Sequence, residues 1–316
     1  MSTVEIISTA SYLPPTIVTN DDMRQFVDTS DEWIKTRTGI ERRRFAKEET
    51  NAQMASKAAK LAIEKSGIPP TDICCCIVAT FSPDNFTPST ACEVQKQLNL
   101  PENIMAFDIN AACSGFVYGL QIVHGLLMQQ PHKYALLIGS EKLTDYLDFE
   151  DRATCVLFGD GAGAVVVGLR EDSHHFSVYG ACGDTHALCC KARPVPHSTK
   201  PPTITMDGSK VFKFAADVIP KCIDQLLEQS QMTIEEIDYI VCHQANMRII
   251  SHVYKKMKIP PEKFFVNLQD YGNTSAASIP IALDEMHNKG MLKKGNKIIC
   301  VGFGSGLTWG AVLMTW

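Results

Sequence analysis

The chain has 316 residues, of which 45% are hydrophobic and 21% are charged, and its net charge is −5 at pH 7. This length and composition are those of a soluble globular protein with a sizeable core, and the negative charge argues against nucleic acid or an anionic membrane as a partner. The sequence shows neither a secretory signal nor an apolar run of membrane-spanning length, so we expect a cytoplasmic protein.

Helix and strand patterns alternate through the first half of the sequence, which is typical of an α/β fold. Asn51 is the predicted N-cap of the first clear helix, and Gly67 is its predicted end. In chain order, the predicted elements are a helix over 51–67, a strand over 72–80, a helix over 88–100, a strand over 104–110, a helix over 114–130, a strand over 134–141, and two strands joined through glycines over 154–170.

The second half of the sequence repeats the order of the first. Three pairs of segments match: 220–245 with 58–82, 273–290 with 110–125, and 298–316 with 154–169. Matches in the same order indicate an internal duplication. We therefore predict an N-terminal half over 1–170, a C-terminal half over 203–316, and a proline-rich connecting or cap segment over 171–202 with little regular structure.

Cys113 lies at the predicted start of a helix, in the stretch INAACSGFVYG. The free N–H groups and the dipole of a helix N-terminus favour a thiolate, so this position suits a nucleophile with a lowered pKa. A lone cysteine in such a place is more often a packing residue. The twelve cysteines form no C-x-x-C pair, which argues against a zinc site or a redox motif.

His243 ends a predicted strand, and Asn273 opens the helix that matches the one after Cys113. Strand ends in α/β sheets are where ligands and catalytic groups gather. Taken alone, the histidine is equally well explained as a structural hydrogen-bonding group and the asparagine as a helix N-cap. Under the duplication, however, the two matched helix starts face each other, and the sequence predicts a cluster of Cys113, His243 and Asn273.

Two glycine-rich runs follow predicted strands. The run GDGAGA over 159–164 precedes a strand instead of a helix, so it lacks the context of a dinucleotide-binding loop. The run GFGSG over 302–306 is predicted to aim backbone N–H groups at a developing oxyanion. We expect the N–H groups of Ser305 and Cys113 to form this oxyanion hole.

Six segments resemble, in order and spacing, the β-ketoacyl-acyl carrier protein synthase III family of the thiolase-like superfamily. They are DTSDEWIKTRTGIERRR, AACSGF, FGDGAGA, HQANMRII, YGNTSAASIPIALDE and GFGSGLTWGAVL. The resemblance extends from SYLPP near the N-terminus to the C-terminal strand and is weakest between residues 171 and 200. Six segments in order are far more specific than any one of them.

The resemblance implies a duplicated, five-layered αβαβα thiolase-like fold and a homodimer. It also implies a decarboxylative condensation of an acyl-CoA primer with malonyl-acyl carrier protein, which initiates fatty acid synthesis. Cys113 would be the nucleophile, and His243 and Asn273 would stabilise the enolate formed by loss of CO₂. The CoA thioester is a substrate, and no metal or organic cofactor, nucleic acid or membrane partner is expected.

The resemblance also assigns binding residues. Trp33 and Arg152 would stack on the adenine of CoA, and Arg37 would hold its phosphates. The residues assigned to the pantetheine tunnel are Gly208, Phe212, Ala245 and Asn246; those assigned to the acyl pocket are Thr87 and Leu157; and those assigned to docking of the acidic carrier protein are Lys213, Arg248, Lys255 and Lys256.

The sequence departs from the family pattern at three positions. Ser305 replaces a glycine of the oxyanion loop, and Ser209 replaces a frequent asparagine at the tunnel. Thr87 replaces a phenylalanine that, in many relatives, comes from the partner subunit and closes the acyl pocket. Because a smaller residue leaves space, we expect a primer longer than acetyl.

Three alternative functions use the same residues. A thiolase-like acyltransferase or condensing enzyme of secondary metabolism would keep the same triad. A cysteine hydrolase is the alternative of another class, since papain-like proteases have Cys, His and Asn in this chain order, although the α/β repeat disagrees with their fold. The third is a non-catalytic scaffold, against which the intact triad argues.

Overall fold

The computed structural model describes residues 2–130, 132–171, 174–191 and 202–316. The elements up to residue 171 are β1 (Ser2–Tyr12), β2 (Thr16–Thr19), α1 (Asp31–Thr38), β3 (Arg42–Phe45), α2 (Asn51–Ser66), β4 (Ile73–Ala79), α3 (Thr90–Gln97), β5 (Met105–Ile109), α4 (Gly115–Leu127), β6 (Tyr134–Glu141) and β7 (Gly161–Glu171). The later elements are β8 (Phe176–Asp184), β9 (Leu188–Cys190), β10 (Ile204–Met206), α5 (Gly208–Ser230), β11 (Tyr239–Cys242), α6 (Met247–Met257), α7 (Leu268–Tyr271), α8 (Ser278–Asn288), β12 (Lys297–Gly304) and β13 (Gly306–Thr315). Within these ranges, no helix has the length and apolar character needed to cross a membrane.

Two mixed sheets form the centre of the fold. In the first, the strand order is β1-β7-β6-β4-β5; β4 is parallel to β5 and β6, and β7 is antiparallel to β6 and β1. In the second, the order is β8-β13-β12-β11; β11 is parallel to β12, and β13 is antiparallel to β12 and β8. Four strands of each sheet match pair by pair, which confirms the predicted duplication.

Helices cover both faces of both sheets. On the outer face of the first sheet, α2 packs through Met54 and Ala58. Between the sheets, α4 and α8 bury Phe116 and Leu283 completely. On the outer face of the second sheet, α5 packs through Ile219. The layers therefore alternate as αβαβα, which confirms the predicted five-layered thiolase-like fold.

The first long helix, α2, is capped by Thr50 and not by the predicted Asn51. The Thr50 side chain accepts from Gln53 N–H, and the Gln53 side chain bonds back to Thr50 N–H, forming a capping box. The predicted end of α2 at Gly67 is confirmed, with φ 67°. Asn51 is buried instead and donates to Thr80 Oγ1 and Ser82 O.

The first of the two strands predicted over 154–170 is wrong. Residues 154–157 form turns, Phe158 makes an isolated bridge to Asn273, and β7 begins only at Gly161. The apolar character of this stretch comes from Cys155 and Val156, which are buried in the core outside the second sheet. The counterpart of β12 in the first sheet is therefore β6.

The predicted connecting segment over 171–202 is more regular than expected. Strand β8 is an edge strand of the second sheet and the counterpart of β1, and β9 pairs with β10. The second structural half therefore begins near residue 176, before the predicted boundary at 203. Residues 172–173 and 192–201 of this segment lie outside the described residues.

Candidate active site

Cys113 lies in a short 3₁₀ turn, Ala112–Ser114, that leads directly into α4. Its side chain packs against Gly304 at the end of β12. A β-carbon on Gly304 would stand 2.8 Å from Cys113 Cβ and 3.0 Å from Cys113 Sγ. Since real β-carbons do not approach other atoms this closely, the glycine is what allows the cysteine to sit between α4 and β12.

Cys113 is 5% exposed, and burial raises the pKa of its thiol to about 12, although the Ser275 hydroxyl and the backbone of the turn oppose the rise. The predicted lowering by the helix N-terminus is therefore wrong for the resting structure, because the loss of hydration outweighs the dipole. At neutral pH the sulfur carries its proton and has to lose it during any nucleophilic attack.

Cys113 and Asn273 belong to matched turns of the two halves. Asn110 Oδ1 accepts from Ala112 N–H at 3.2 Å, and Asn273 Oδ1 accepts from Ser275 N–H at 2.8 Å. Ala112 and Ser275 share a left-handed conformation, with φ 45° and 48°. The counterpart of Asn273 is therefore Asn110, and Cys113 follows three residues later in its own turn.

His243 follows β11 directly and is held by the neighbouring elements. Its N–H donates to Val301 O in β12 at 2.8 Å, and its Nδ1 lies 2.7 Å from Ser278 Oγ at the start of α8. The side chain is 2% exposed, and burial lowers its pKa to about 3. The imidazole is therefore neutral at physiological pH.

Asn273 is fixed through both its backbone and its side chain. Its N–H donates to Leu157 O at 2.8 Å, and its carbonyl accepts from Gly159 N–H at 3.0 Å. Because Ser275 N–H already engages Oδ1, the Nδ2 amide is the group that can donate to a ligand.

Two cavities meet at Cys113. The triad cavity, about 570 Å³, is lined by Cys113, His243 and Asn273 together with other residues named below. The side cavity, about 730 Å³, is lined by Cys113 and by apolar side chains such as Phe107 and Ile204. The structure thus brings the three predicted residues to one cavity, and Cys113 also lines a second one.

Known proteins are similar to this chain in sequence. The family model described as 3-Oxoacyl-[acyl-carrier-protein (ACP)] synthase III matches residues 107–182, and the model of its C terminal matches residues 227–316. A Beta-ketoacyl-[acyl-carrier-protein] synthase III from Clostridium acetobutylicum is 49% identical, covering 100% of this chain and 99% of the relative. The chain belongs to the 3-oxoacyl-[acyl-carrier-protein] synthase III family.

Solved structures of the synthase III family agree with this assignment. The structure from Aquifex aeolicus is 46% identical with a TM-score of 0.93 and covers 99% of this chain and 100% of that chain. The structure from Pseudomonas aeruginosa is 34% identical with a TM-score of 0.93 and covers 99% and 98%. The protein is thus an acyltransferase that carries out the condensation initiating fatty acid synthesis, and neither an enzyme of secondary metabolism nor a cysteine hydrolase is favoured.

The residues that the synthase III resemblance assigned to CoA all line the triad cavity. They are Trp33, Arg37, Arg152, Gly208, Phe212, Ala245 and Asn246. The guanidinium groups of Arg37 and Arg152 each lie 4.5 Å from the centre of the Trp33 ring. A base between Trp33 and Arg152 needs two van der Waals contacts of about 3.5 Å each, so Arg152, which donates from Nη1 to Asp28 O at 2.8 Å, has to move for adenine to stack there.

The two residues assigned to the acyl pocket of the synthase do not line the side cavity. Leu157 lines the triad cavity, because its carbonyl is bonded to Asn273 N–H and fixes it on that side. Thr87 is exposed and lines neither cavity. Its neighbour Phe86 does line the side cavity while remaining 86% exposed. A contribution of Thr87 to a partner subunit stays a prediction.

Ser305 lies between β12 and β13 and lines the side cavity beside Cys113. Its Oγ donates to Leu188 O at 2.5 Å, so the side chain is held by β9 and does not crowd the thiol. Ser209, at the start of α5, lines the triad cavity, and its N–H donates to Asp207 Oδ1 at 3.1 Å.

The predicted docking residues differ in their surroundings. Lys213 and Arg248 are exposed and line the mouth of the triad cavity. Lys255 is exposed on α6. Lys256 is paired with Asp217, Nζ to Oδ1 at 3.1 Å, and also donates to Ala216 O. Lys213, Arg248 and Lys255 are therefore better placed than Lys256 to meet an acidic partner.

Sequence reasoning missed three residues of the site: Glu141, Ser275 and Ser278. Ser278 holds His243, and Ser275 fixes Asn273 and lies beside Cys113. Glu141 is a buried carboxyl at the end of β6. The only signal in the sequence is a polar residue ending a buried strand, which is too common to single out one acid.

Proposed function

We propose that the chain condenses an acyl-CoA primer with malonyl-acyl carrier protein to give β-ketoacyl-acyl carrier protein, with Cys113 as the nucleophile. The observation that carries the proposal is that Cys113 lines both cavities. The phosphopantetheine arm of either substrate reaches the sulfur through the triad cavity. The acyl chain, once transferred, extends into the side cavity.

The first half-reaction is acyl transfer. The sulfur of Cys113 attacks the thioester carbonyl of acyl-CoA, and the CoA thiolate leaves. The backbone N–H groups of Cys113 and Ser305 stabilise the negative charge that develops on the carbonyl oxygen. This assignment is supported by two contacts: both residues line the side cavity, and Gly304, which precedes Ser305, packs against Cys113. The acyl group then occupies the sulfur while CoA vacates the triad cavity.

The second half-reaction begins with the loss of CO₂ from the malonyl group, which leaves an enolate oxygen. Neutral His243 donates to this oxygen from Nε2–H, provided that the Ser278 hydroxyl donates to Nδ1. The Asn273 amide is the second donor. The enolate carbon attacks the acyl thioester, the β-ketoacyl product forms, and the Cys113 thiolate leaves. This chemistry requires no metal or organic cofactor.

The side cavity supports a primer longer than acetyl. Its volume of about 730 Å³ is many times that of a two-carbon acyl group, and its apolar lining suits a hydrocarbon chain. Thr87 does not line the side cavity of its own chain. The proposal of a longer primer therefore depends on the volume and lining of the cavity, and not on the small size of Thr87. Comparing turnover with acetyl-CoA and medium-chain acyl-CoA tests it, and a firm preference for acetyl would contradict it.

A homodimer is supported by one open sheet edge. Among the described strands, β5 pairs only with β4, so its other edge has no strand partner. Met105 in β5 is 43% exposed, and Phe86, which lines the side cavity together with Phe107 of β5, is 86% exposed. An open edge with large apolar side chains is a surface that a second copy covers. Light scattering should give twice the chain mass, and Met105→Glu should shift the protein toward the monomer.

A carrier-protein docking site is supported by two exposed cations that line the triad cavity, Lys213 and Arg248, and by Lys255, which is exposed on the same helix as Arg248. Opposite charge steers association more than it adds affinity, so charge reversal should raise KM for the carrier protein and weaken its salt dependence. An unchanged KM after Arg248→Glu would contradict this site.

A cytoplasmic location is supported by the cysteines. All twelve are free thiols, which is the state expected in a reducing compartment. Cell fractionation tests the location directly.

The experiment that tests the proposed reaction is a product assay. Purified protein is given acyl-CoA and malonyl-acyl carrier protein, and the carrier is weighed by mass spectrometry while CO₂ is counted. A β-ketoacyl carrier and matching CO₂ are expected, and the β-ketoacyl carrier should be absent with Cys113→Ser. Release of free fatty acid without a β-ketoacyl carrier would instead support a hydrolase.

A further inference from the structure

The imidazole of His243 lines the triad cavity and is held firmly by its neighbours. Its ring packs against the ring of Phe303 in β12, with 5.3 Å between the ring centres. Nδ1 lies 2.7 Å from the Oγ of Ser278, the first residue of α8. The proposed condensation needs a proton on Nε2, and a neutral imidazole carries a proton on one nitrogen only. The choice of nitrogen therefore decides whether His243 can donate to an enolate.

The hydroxyl of Ser278 is bonded to two groups. One is His243 Nδ1, and the other is the backbone N–H of Gln244, which donates to Ser278 Oγ at 3.3 Å. A backbone N–H is always a donor, so it engages the oxygen of the hydroxyl and leaves the hydroxyl proton for a different acceptor. Among the described residues, His243 Nδ1 is the one further hydrogen-bond partner of this hydroxyl.

These two contacts fix the direction of the bond between Ser278 and His243. If the hydroxyl donates to Nδ1, the Gln244 N–H, the hydroxyl proton and the Nδ1 lone pair all have partners, and the ring proton is on Nε2. If Nδ1 donates to Oγ instead, the hydroxyl proton has no acceptor among the described residues. Ser278 is 2% exposed, and a buried donor without an acceptor is unfavourable. The first arrangement is therefore the favoured one.

The peptide N–H of Gln244 is held in place by the side chain of the same residue. Gln244 is 1% exposed. Its Nε2 donates to Cys242 O at 2.8 Å and to Phe265 O at 3.2 Å, and its Oε1 accepts from Asn267 N–H at 3.0 Å. Because both ends of the side-chain amide are engaged, the residue cannot turn its backbone N–H away from Ser278 without breaking these bonds.

Asn273 is oriented in the same way as His243. Ser275 N–H donates to Asn273 Oδ1 at 2.8 Å, which fills the acceptor atom of the amide and leaves Nδ2 as the donor. The Ser278 hydroxyl fills the acceptor atom of the imidazole and leaves Nε2–H as the donor. The short segment that leads into α8 thus supplies one enolate donor and orients both.

We propose that Ser278 sets the tautomer of His243 and thereby makes the imidazole a hydrogen-bond donor to the enolate. Ser278 is a positioning residue, since it acts through the imidazole and lines neither cavity. The Ser278 proton stays on its oxygen, and the Nε2 proton stays on the ring while negative charge develops on the thioester oxygen. The assignment rests on the proposed function and adds the group that orients one of its two donors.

The direct test is the position of the ring proton in the wild type. The chain has nine histidines, and labelling them with nitrogen-15 gives NMR signals that separate protonated from unprotonated ring nitrogens. The signals of His243 are those that disappear in His243→Ala. A proton on Nε2 and an unprotonated Nδ1 are expected at neutral pH. A proton on Nδ1, or comparable amounts of both tautomers, would overturn the assignment.

The functional readout is decarboxylation of a malonyl thioester in the Cys113→Ala background, which uses His243 but no thiol. Ser278→Ala should slow CO₂ release by about 10-fold, the range of one lost hydrogen bond. KM for the malonyl thioester should stay the same, because the lining of the cavity is unchanged. In a protein that keeps Cys113, Ser278→Ala should leave the rate of acyl-CoA labelling unchanged, since acyl transfer does not use the enolate donors.

The matched control is Ser8→Ala. Ser8 is another buried serine, and its Oγ donates to Ala62 O at 2.6 Å. It lines neither cavity. This variant should keep the wild-type rates of both CO₂ release and labelling. An unchanged rate of CO₂ release in Ser278→Ala would overturn the assignment. Equal slowing of both half-reactions would overturn it too, because Ser278 would then support the fold and not the donor.

The inference and the proposed function fail differently. If His243→Ala slows CO₂ release and the ring proton is on Nδ1, the proposed reaction stands and the role of Ser278 is wrong. If His243→Ala does not slow CO₂ release, the role of His243 in the proposed reaction is wrong, and the assignment of Ser278 falls with it.

Discussion

Gly304 and Cys113 are in such close contact that a β-carbon on the glycine would stand 3.0 Å from the reactive sulfur. Gly304→Ala should therefore displace Cys113 from its place between the two cavities. Overpacking of this kind costs about 1–3 kcal/mol, and an equal loss in transition-state stabilisation corresponds to roughly a 5–150-fold slower acylation. The rate of Cys113 acylation is measured by quenching the reaction with acyl-CoA at a series of times and weighing the intact protein.

Gly125 provides the matched glycine control, in the helix α4 that follows the nucleophile. A β-carbon there would meet nothing within 4 Å, and alanine in a helix interior is more favourable than glycine by about 0.5–1 kcal/mol. Gly125→Ala should keep full activity and unfold at the same or a higher temperature. Equal loss of activity in both variants would contradict the specific contact of Gly304.

The two half-reactions should respond differently to loss of the enolate donors. His243→Ala and Asn273→Ala should each lower the decarboxylation rate by about 10²–10³-fold, since each removes one donor to the developing oxyanion. Labelling of Cys113 by acyl-CoA should be affected much less. The exposed His132 supplies a control, because His132→Ala should change neither rate. If labelling stops while decarboxylation persists, the assigned roles are wrong.

The pH dependence of decarboxylation should lack the inflection of an ordinary histidine. Burial lowers the pKa of His243 to about 3, so the imidazole stays neutral and keeps its Nε2–H donor at every pH above about 4. In Cys113→Ala, which has no thiol to titrate, the rate of CO₂ release should be flat across pH 6.5. A rate that falls by half near that value as the pH decreases would show that His243 titrates normally.

Trp33 should matter for the nucleotide end of the primer and not for the chemistry. Trp33→Ala removes the ring that Arg37 and Arg152 now cover at 4.5 Å. KM for acyl-CoA should rise by roughly 10-fold, the range of one lost stacking contact, while kcat stays close to the wild type. An acyl-pantetheine thioester, which lacks the nucleotide, should be used equally by both proteins; a lower kcat with this substrate would contradict the assignment.

Local patterns were sufficient to locate Cys113, His243 and Asn273, because each marks the start or end of an element and the duplication brings those ends together. Local sequence patterns gave the wrong secondary structure where contacts with distant parts of the chain determine which residues are buried. The apolar residues of 154–158 indicated a strand, but Cys155 and Val156 are buried from a series of turns. Strand β8 was missed because its glycine and cysteine content resembles a loop, although it completes the second sheet.

The chemistry of single groups was the hardest part to predict. A helix start suggested a lowered pKa for Cys113, whereas the surrounding core raises it. The direction of this pKa shift is decided by loss of hydration around the thiol. That loss depends on atoms from β12 and from the turn at Ser275, which are far away in the sequence. Glu141 was missed for the same reason, since nothing in the chain near it reveals that it lies beside the thiol.

The most direct test of the central claim is to map the acyl group after exposure of the protein to a series of acyl-CoA primers. A single added acyl group on the peptide that contains Cys113 is predicted, with chains longer than acetyl accepted and with no addition to Cys113→Ala. The side cavity also exposes Cys189 and Cys190 to the acyl chain. Stable acylation of either of these cysteines, or of none, would contradict the assignment of the nucleophile.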